Sequence, residues 1–159
     1  IEKGMAQDGN DNGVSQRLLG TLLTWMAERK TKVFIVATSN DITKLPPELI
    51  RKGRLDEIFF VDLPDVEVRK DIFIIHINKR NMVASEFDVR KLANATNGFS
   101  GSEIEQAIIA AQYTAAANAQ KLTTDILLQE IFNTSPLSVV MAEQIAQLRL
   151  WAADRTIPA

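Results

Sequence analysis

Several residue types are missing or rare in this chain of 159 residues, and each absence excludes a class of site. No cysteine is present, so neither a disulfide framework nor a thiolate metal site can form. A single histidine, His76, leaves no set of imidazole ligands for a zinc cluster. No apolar run reaches the ~18 residues of a membrane span, and the first residues show no signal-peptide pattern. We therefore expect no membrane segment.

An excess of either charge is missing as well. The chain carries 18 Lys and Arg against 20 Asp and Glu, for a net charge of −2. A nucleic-acid-binding protein would need a basic face, so a nucleic-acid partner is not expected. The apolar content of 46% and the charged content of 24% are those of ordinary globular domains.

The first 64 residues predict an α/β arrangement. A polar loop at residues 7–13 precedes an amphipathic helix at residues 14–29. Residues 33–38 are continuously apolar and β-branched, which is typical of a strand buried on both faces of a parallel sheet. Pro46-Pro47 then opens a short helix through Ile50, and a second strand is predicted at residues 58–61.

From residue 65 onward every predicted element is a helix. Asp65 fits an N-cap, residues 89–95 form a short helix, and either Ser100 with Glu103 or Ser102 with Glu105 has capping-box spacing. Periodicity predicts the inner faces: Val68, Ile72, Ile75 and His76; Ile104, Ala107, Ile108 and Ala111; Leu128, Ile131 and Phe132 after Thr124; Met141, Ile145 and Leu148 after Pro136. The fold class is therefore α/β followed by all-α, with the joint near Pro64.

Two polar features follow the predicted strand. Asn40 would stand beyond its carboxyl end, where open α/β sheets bind ligands, and an amide there can orient a water beside a phosphate. Arg51 and Arg54 lie three residues apart, and guanidinium groups bind phosphate oxygens in pairs. Taken alone, Asn40 also fits an ordinary loop opening, and the two arginines fit a solvated basic turn.

The order and spacing of these features resemble a known family. Residues 33–56, VFIVATSNDITKLPPELIRKGRLD, and the DLPD that follows resemble the second region of homology of the AAA (AAA+) ATPases. The resemblance implies that Asn40 is sensor 1, which positions the attacking water. It implies that Arg51 and Arg54 are arginine fingers, which reach the nucleotide of a neighbouring subunit. Leu55 and Glu57 depart from the usual pattern, and Glu57 puts the charge pairs between subunits in doubt.

The helical part continues the resemblance. Residues 97–103, NGFSGSE, resemble the GFSGADL segment that opens the family's lid helix, which implies that Gly101 and Ser102 approach the adenine and ribose. His76 matches a histidine near the bound nucleotide in several members. From the residues alone, a buried core histidine and simple helix capping remain open as alternatives.

The family's phosphate-binding elements are expected outside this chain. Residues 1–4 resemble those that follow the Walker B acids, and no G-x-x-x-x-G-K-[ST] sequence occurs. The implied architecture is the C-terminal half of an AAA+ αβα sheet subdomain at residues 1–64, a helical lid at 65–135, and a C-terminal helix and tail at 136–159. In that fold the two predicted strands are not neighbours, so we expect the α/β part to need strands from another polypeptide.

The implied function is that of an ATPase fragment. The intact protein would bind ATP and Mg²⁺ between subunits of a ring, a homo-oligomeric hexamer by resemblance, and remodel a protein substrate, whereas the fragment alone would be inactive. The alternative is a non-catalytic docking or regulatory module that binds intact AAA subunits. Residues 136–159 resemble AAA proteins of cyanobacteria and plastids, which predicts the cytoplasm or, for a plastid-encoded protein, the plastid stroma.

Overall fold

The computed structural model describes residues 12–42, 45–51 and 54–158, except for the side chains of residues 12–16 and 158. This part of the chain divides into two compact units between Phe59 and Phe60. The expectations for residues 1–4, and for residues 7–11 of the predicted loop, lie outside the described residues. The domain limits at residues 64 and 135 remain predictions.

The first unit contains the two predicted helices. Helix α1 spans Asn12–Glu28 and helix α2 spans Pro47–Ile50, which confirms both at nearly the expected limits. Proline at the start of α2 suits a first helical turn, where its missing N–H costs no hydrogen bond. The helix was expected to be amphipathic, and its apolar residues are only partly covered: Met26 is buried, while Leu18 is 67% exposed.

The prediction of a strand at residues 33–38 is wrong. No residue of that segment is in a strand, and Phe34 and Val36 are 92% and 76% exposed. The sequence supplies the apolar, β-branched residues of a strand, but a strand is stable only when a neighbour accepts and donates its backbone hydrogen bonds. No described segment pairs with residues 33–38.

The second predicted strand is present but shorter. Strand β1 covers Phe59–Phe60, two of the four residues expected at 58–61. It pairs with β2, Ile157–Pro158, near the C-terminus rather than with a strand of a parallel sheet. A ladder of two residues contributes little stability of its own.

Helix α3, Val66–Lys79, opens the second unit. Asp65 caps it as predicted, since its Oδ1 accepts from the N–H groups of Glu67 and Val68 at 2.9 Å each. The predicted inner face is wrong in part, because Val68 and Ile75 are 47% and 59% exposed. The side chains buried from α3 are instead Arg69, Phe73 and Ile77, which lie four residues apart along one stripe.

Arg69 enters the core with its guanidinium bonded to backbone carbonyl groups. It is only 6% exposed, and its Nε donates to the Ala93 carbonyl at 3.0 Å while Nη1 donates to the Pro64 carbonyl at 2.7 Å. These backbone oxygens satisfy a buried cation that would otherwise be costly. Arg69 thereby ties the segment before α3 to the end of α4.

Three further helices complete the core: α4 at Val89–Ala95, α5 at Gly101–Ala117 and α6 at Thr124–Phe132, with a 3₁₀ turn at Ala84–Glu86 before α4. Helix α3 packs on α4 and α5, and α6 packs on the same two helices. The predicted inner face of α5 is confirmed, since Ile104, Ala107, Ile108 and Ala111 are all buried. On α6 the prediction for Phe132 is wrong: this ring is 77% exposed, and Leu127 is buried instead.

The C-terminal segment forms two helices rather than one. Helix α7 covers Leu137–Val140 and α8 covers Ala142–Ala152, and Met141 is the junction between them. Ile145 and Leu148 are half-buried, as their place on a common stripe predicts, but Met141 is 38% exposed.

Candidate functional site

Asn40 lies in a bend in the segment between α1 and α2, and it is exposed. The Ser39 hydroxyl accepts a hydrogen bond from the Asp41 N–H at 3.2 Å, so a short turn forms around Asn40. The turn expected from the Asn-Asp pair is therefore present.

Arg51 and Arg54 follow α2 directly. Arg51 is its C-cap residue, has an extended backbone with φ −68° and ψ 136°, and is exposed. Arg54 is half-buried because its guanidinium folds back over the short helix, where Nη1 donates to the Glu48 carbonyl at 2.9 Å. The two arginines therefore differ: Arg51 is exposed to solvent, whereas Arg54 is bound to the backbone of α2.

His76 lies on α3 within a group of charged side chains that we call the His76 cluster: His76, Lys79 and Arg80 with Glu105 of α5. Its Nδ1 is 3.2 Å from the Glu105 Oε1, and its side chain is 18% exposed. The ring is therefore neither a fully buried core histidine nor a freely solvated one. It occupies a polar edge of the α3–α5 packing.

One carboxylate oxygen of Glu105 contacts all three basic side chains of this cluster. Its Oε1 accepts from Arg80 Nη2 at 2.9 Å and lies 3.8 Å from Lys79 Nζ. The hydrogen bond from Arg80 is the main reason that the pKa of Glu105 lies below its ordinary value; the attraction of His76, Lys79 and Arg80 adds to it, and desolvation opposes it. Glu105 is thus held as a carboxylate, an acceptor only.

Gly101 and Ser102 form the first turn of α5. Ser100 is the N-cap, and the capping box uses Glu103: its carboxylate accepts from the Ser100 N–H at 2.7 Å, and the Ser100 hydroxyl accepts from the Glu103 N–H. Of the two spacings open from the sequence, the structure therefore selects Ser100 with Glu103. The Ser102 hydroxyl is exposed and lies 3.1 Å from that of Ser100.

Gly101 is not required by the packing of this chain. A Cβ placed there would meet Ile72 Cδ1 at 3.5 Å, an ordinary van der Waals contact. Ile72 lies one turn before His76 on α3, so the start of α5 and the ring of His76 border the same α3–α5 interface. The structure thereby brings Gly101 to the same side of α3 as the His76 cluster.

The C-terminal segment also reaches the start of α5. Glu103 Oε1 accepts from the Leu137 N–H at 2.7 Å, so one carboxylate holds the beginnings of both α5 and α7. Gly98 has φ +79°, a conformation that favours glycine, and a Cβ there would collide with the Ser138 side chain. Residues 136–138 therefore pack closely on the loop before α5.

The candidate residues fall into two groups, one in each unit. Asn40, Arg51 and Arg54 belong to the first unit, whereas His76, Gly101 and Ser102 belong to the second. Sequence reasoning missed Glu105 and Arg80 as neighbours of His76. Arg80 follows His76 at helical i,i+4 spacing and could have been found; Glu105 could not, because its contact depends on how α5 packs against α3.

Within residues 12–42, 45–51 and 54–158, no group of three histidine or acidic side chains is arranged to hold a metal ion. No helix in the described part of the chain is long and apolar enough to cross a membrane.

Residues 1–63 match the model of the AAA family, described as the ATPase family associated with various cellular activities. The chain is also similar to three algal proteins, each named Uncharacterized AAA domain-containing protein ycf46. It is 44% identical over 145 residues to that of Pyropia yezoensis, covering 91% of this chain and 30% of the relative. It is 42% identical over 145 residues to the protein of Guillardia theta, covering 91% of this chain and 29% of the relative. It is 44% identical over 148 residues to that of Trieres chinensis, covering 92% of this chain and 30% of the relative.

The chain thus spans about 30% of the length of these relatives. The family model covers the segment that contains Asn40, Arg51 and Arg54, and the relatives extend the similarity across the helical unit. The chain is therefore similar to AAA proteins along most of its length, and its residues 1–63 match the AAA family.

Proposed function

We propose that this chain supplies the sensor and arginine-finger part of an AAA module that hydrolyses ATP between subunits. The observation that carries the proposal is the contiguous match of residues 33–56 to the family's second region of homology, inside the segment that the family model covers. A motif of that length, with an amide and two arginines at set spacing, is far more specific than either feature alone.

Asn40 is assigned to the attacking water. Its amide carries a donor and an acceptor without net charge, so it can orient a water beside the terminal phosphate without repelling that phosphate. Its exposed position in the turn after residues 33–38 is compatible with this role. In the assembled protein, pairing of residues 33–38 with other strands would fix the turn in place.

Arg51 and Arg54 are assigned to the nucleotide of a neighbouring subunit, where they stabilise the charge that develops on the transferred phosphoryl group. Arg51 is already displayed to solvent. Arg54 must first leave the Glu48 carbonyl, and a hydrogen bond from a charged group contributes about 1.5–3 kcal/mol net. A phosphate carries charge itself and can accept two parallel bonds from one guanidinium, so the exchange is favourable once a nucleotide is in reach.

His76, Gly101 and Ser102 are assigned to the nucleoside. Nothing in the packing around Gly101 demands glycine, so a ligand that approaches the backbone is a sufficient reason for it. The half-buried ring of His76 and the exposed hydroxyl of Ser102 offer polar groups beside that backbone. The helical unit would then act as a lid over the nucleotide.

The phosphates and Mg²⁺ would be held by other polypeptide. The 159 residues contain no G-x-x-x-x-G-K-[ST] sequence, so this chain alone is expected to be inactive. The partners are other AAA subunits in a ring, a hexamer of identical subunits, acting on a protein substrate. The proposed location is the cytoplasm or the plastid stroma.

Arginine substitution in a protein of the relatives' length tests these roles. Arg51→Ala and Arg54→Ala should each lower kcat for ATP hydrolysis by a large factor, because arginine fingers contribute ~10³–10⁵ in rate. The matched control is Arg90→Ala, an exposed arginine of α4, which should leave kcat unchanged. Unchanged kcat in both finger variants, with ring assembly intact, would remove the assignment.

A further inference from the structure

The carboxylate of Glu103 joins the starts of two helices that are distant in the sequence. Its Oε2 accepts hydrogen bonds from the N–H and the hydroxyl of Ser100 at 2.7 Å each, which fixes the N-cap of α5. Its Oε1 accepts from the N–H of Leu137, the first residue of α7, also at 2.7 Å. Both oxygens of one side chain are therefore engaged, one at each helix, at the short end of the normal hydrogen-bond range.

Helix α7 takes its cap from this side chain. The residue at its N-cap is Pro136, whose side chain has no oxygen to offer the first turn. The N–H groups of a first helical turn have no partner within their own helix, so an acceptor must come from elsewhere. For Leu137 it comes from Glu103, 34 residues earlier in the chain. The position of α7 is thereby tied to the position of α5.

A steric contact holds the same two segments together. Gly98 in the loop before α5 has φ +79°, and a Cβ on it would collide with the side chain of Ser138. The second residue of α7 therefore lies directly against the backbone of that loop. Close-packed contacts of this kind transmit a displacement of one segment to the other. The C-terminal segment thus restrains the start of α5 at two points, through Glu103 and through the loop.

We propose that Glu103 is a positioning residue through which the C-terminal segment affects the affinity for ATP. Its bonds to Ser100 and Leu137 hold the first turn of α5 in the arrangement that contacts the nucleoside. This inference rests on the proposed function, in which Gly101 and Ser102 of that turn approach the nucleotide; the Ser102 hydroxyl lies 3.1 Å from that of Ser100. Because coupling between two sites is reciprocal, bound ATP also strengthens the attachment of α7.

Leu137 permits a substitution that removes the hydrogen bond and little else. Proline suits the first position of a helix, where the missing N–H has no intrahelical partner. The preceding residue, Pro136, already has the extended backbone that a following proline requires, with ψ 151°. Leu137→Pro therefore keeps α7 but removes the donor to Glu103. The matched control, Leu137→Ala, shortens the same side chain and keeps the N–H.

Hydrogen exchange of this chain gives the first test. The N–H groups of Ser100 and Glu103 are both bonded within the capping box. Leu137→Pro should speed their exchange roughly two- to tenfold, less than the full effect of a bond to a charged group, because the capping box itself remains. Leu137→Ala should speed it less. Equal exchange rates in the two variants would overturn the proposal.

The second test follows ATP hydrolysis in a protein of the relatives' length. Leu137→Pro should raise KM for ATP roughly two- to tenfold and leave kcat unchanged, because the groups assigned to phosphoryl transfer lie on other segments. A variant that merely folds less well would lower kcat at an unchanged KM, since fewer molecules would be active. In a Glu103→Ala background, Leu137→Pro should have no further effect, because the acceptor is already gone. An unchanged KM in Leu137→Pro, or the same rise in Leu137→Ala, would overturn the positioning role.

The reciprocal effect gives an independent measurement without any substitution. In the wild-type protein of the relatives' length, saturating ATP should slow the exchange of the Leu137 N–H, because the nucleotide stabilises the turn that Glu103 caps. An exchange rate that ATP leaves unchanged would contradict the coupling.

The outcomes distinguish this inference from the proposed function. Gly101→Ala adds one methyl group, which the packing accepts at 3.5 Å from Ile72, so it tests the approach of the nucleotide rather than the fold. If Gly101→Ala leaves KM for ATP unchanged, the nucleotide role of this turn fails and the inference fails with it. If Gly101→Ala raises KM but Leu137→Pro does not, the proposed function stands and the positioning role of Glu103 is overturned.

Discussion

The carboxylate of Asp62 accepts three hydrogen bonds from the guanidinium of Arg149, 87 residues away in the sequence: two from Nε, at 2.8 and 3.1 Å, and one from Nη2 at 2.9 Å. This ion pair joins the segment before α3 to the last helix of the chain, alongside the pairing of β1 with β2. The C-terminal segment is therefore held at several points along its length, including the bond from Leu137 to Glu103.

Asp62→Asn should loosen this attachment. Both side chains are more than one-third exposed, so the loss at pH 7 should be a few tenths of a kcal/mol and at most about 1 kcal/mol. Hydrogen exchange should locate the loss in α8. The same substitution at Asp71, an exposed residue of α3, should leave exchange in α8 unchanged. Unaltered exchange of α8 in Asp62→Asn would contradict the role of the pair.

The pair also predicts a pH dependence. Partial burial works to raise the pKa of Asp62, but hydrogen bonds from Arg149 and from the Leu63 N–H outweigh it, so the pKa lies below its ordinary value. A carboxyl with a lower pKa in the folded chain stabilises the fold above its unfolded pKa of ~3.9. That stability is lost as the pH falls through the folded value. The difference between wild type and Asp62→Asn should therefore shrink below about pH 4.

Two phenylalanines distinguish the observed core from the one that periodicity predicts. Phe73 is fully buried, whereas Phe132 is 77% exposed. Phe73→Ala should lower the free energy of unfolding by ~3–5 kcal/mol, because it leaves a cavity in the core. Phe132→Ala should change it by no more than about 0.5 kcal/mol. Urea denaturation followed by circular dichroism measures both, and equal losses would contradict the observed packing of α6.

Replacement of two glycines by alanine should change stability in opposite directions. Gly98 has φ +79° and lies against Ser138, so Gly98→Ala should destabilise the helical unit by about 1 kcal/mol or more. Gly20 lies inside α1 with nothing within 4 Å of its missing Cβ, and Gly20→Ala should stabilise that helix by ~0.5–1 kcal/mol. Local hydrogen exchange in α5 and α1 separates the effects. Adding Ser138→Gly to Gly98→Ala should recover part of the loss.

Helix limits follow from local signals, and the sequence therefore predicted them well. The carboxylate of Asp65 acts within one turn of the chain, so the residue that opens α3 can be read directly. For α5 the sequence places a capping box within two residues, and the structure selects Ser100 with Glu103. The inward face of α5 was predicted for the same reason, because small and branched apolar residues recur there at helical spacing.

Features that depend on distant partners could not be predicted in this way. Arg69 is buried because the carbonyls of Pro64 and Ala93 receive its guanidinium, and no periodicity of apolar residues signals that arrangement. The contact of Glu105 with His76 requires the packing of α5 on α3. The strand propensity of residues 33–38 is plain from the sequence, but pairing needs a second strand that no described segment provides.

Residues 33–38 give a direct test of that dependence. In this chain their amides should exchange rapidly, whereas those of the buried helix stripe around Phe73 should be protected. In a protein of the relatives' length, neighbouring strands should protect residues 33–38 strongly. Strong protection of residues 33–38 in a monomer of this chain would contradict the need for other polypeptide.

The most direct test of the central claim is a mixing experiment in a protein of the relatives' length. The Asn40→Ala and Arg54→Ala variants should each hydrolyse ATP poorly. In mixed rings, some interfaces combine the intact Asn40 of one subunit with the intact Arg54 of its neighbour, so mixing the two should restore a measurable part of the wild-type rate. A mixture that is no more active than the average of its components, although mixed rings form, would contradict the claim that the arginine acts across the subunit interface.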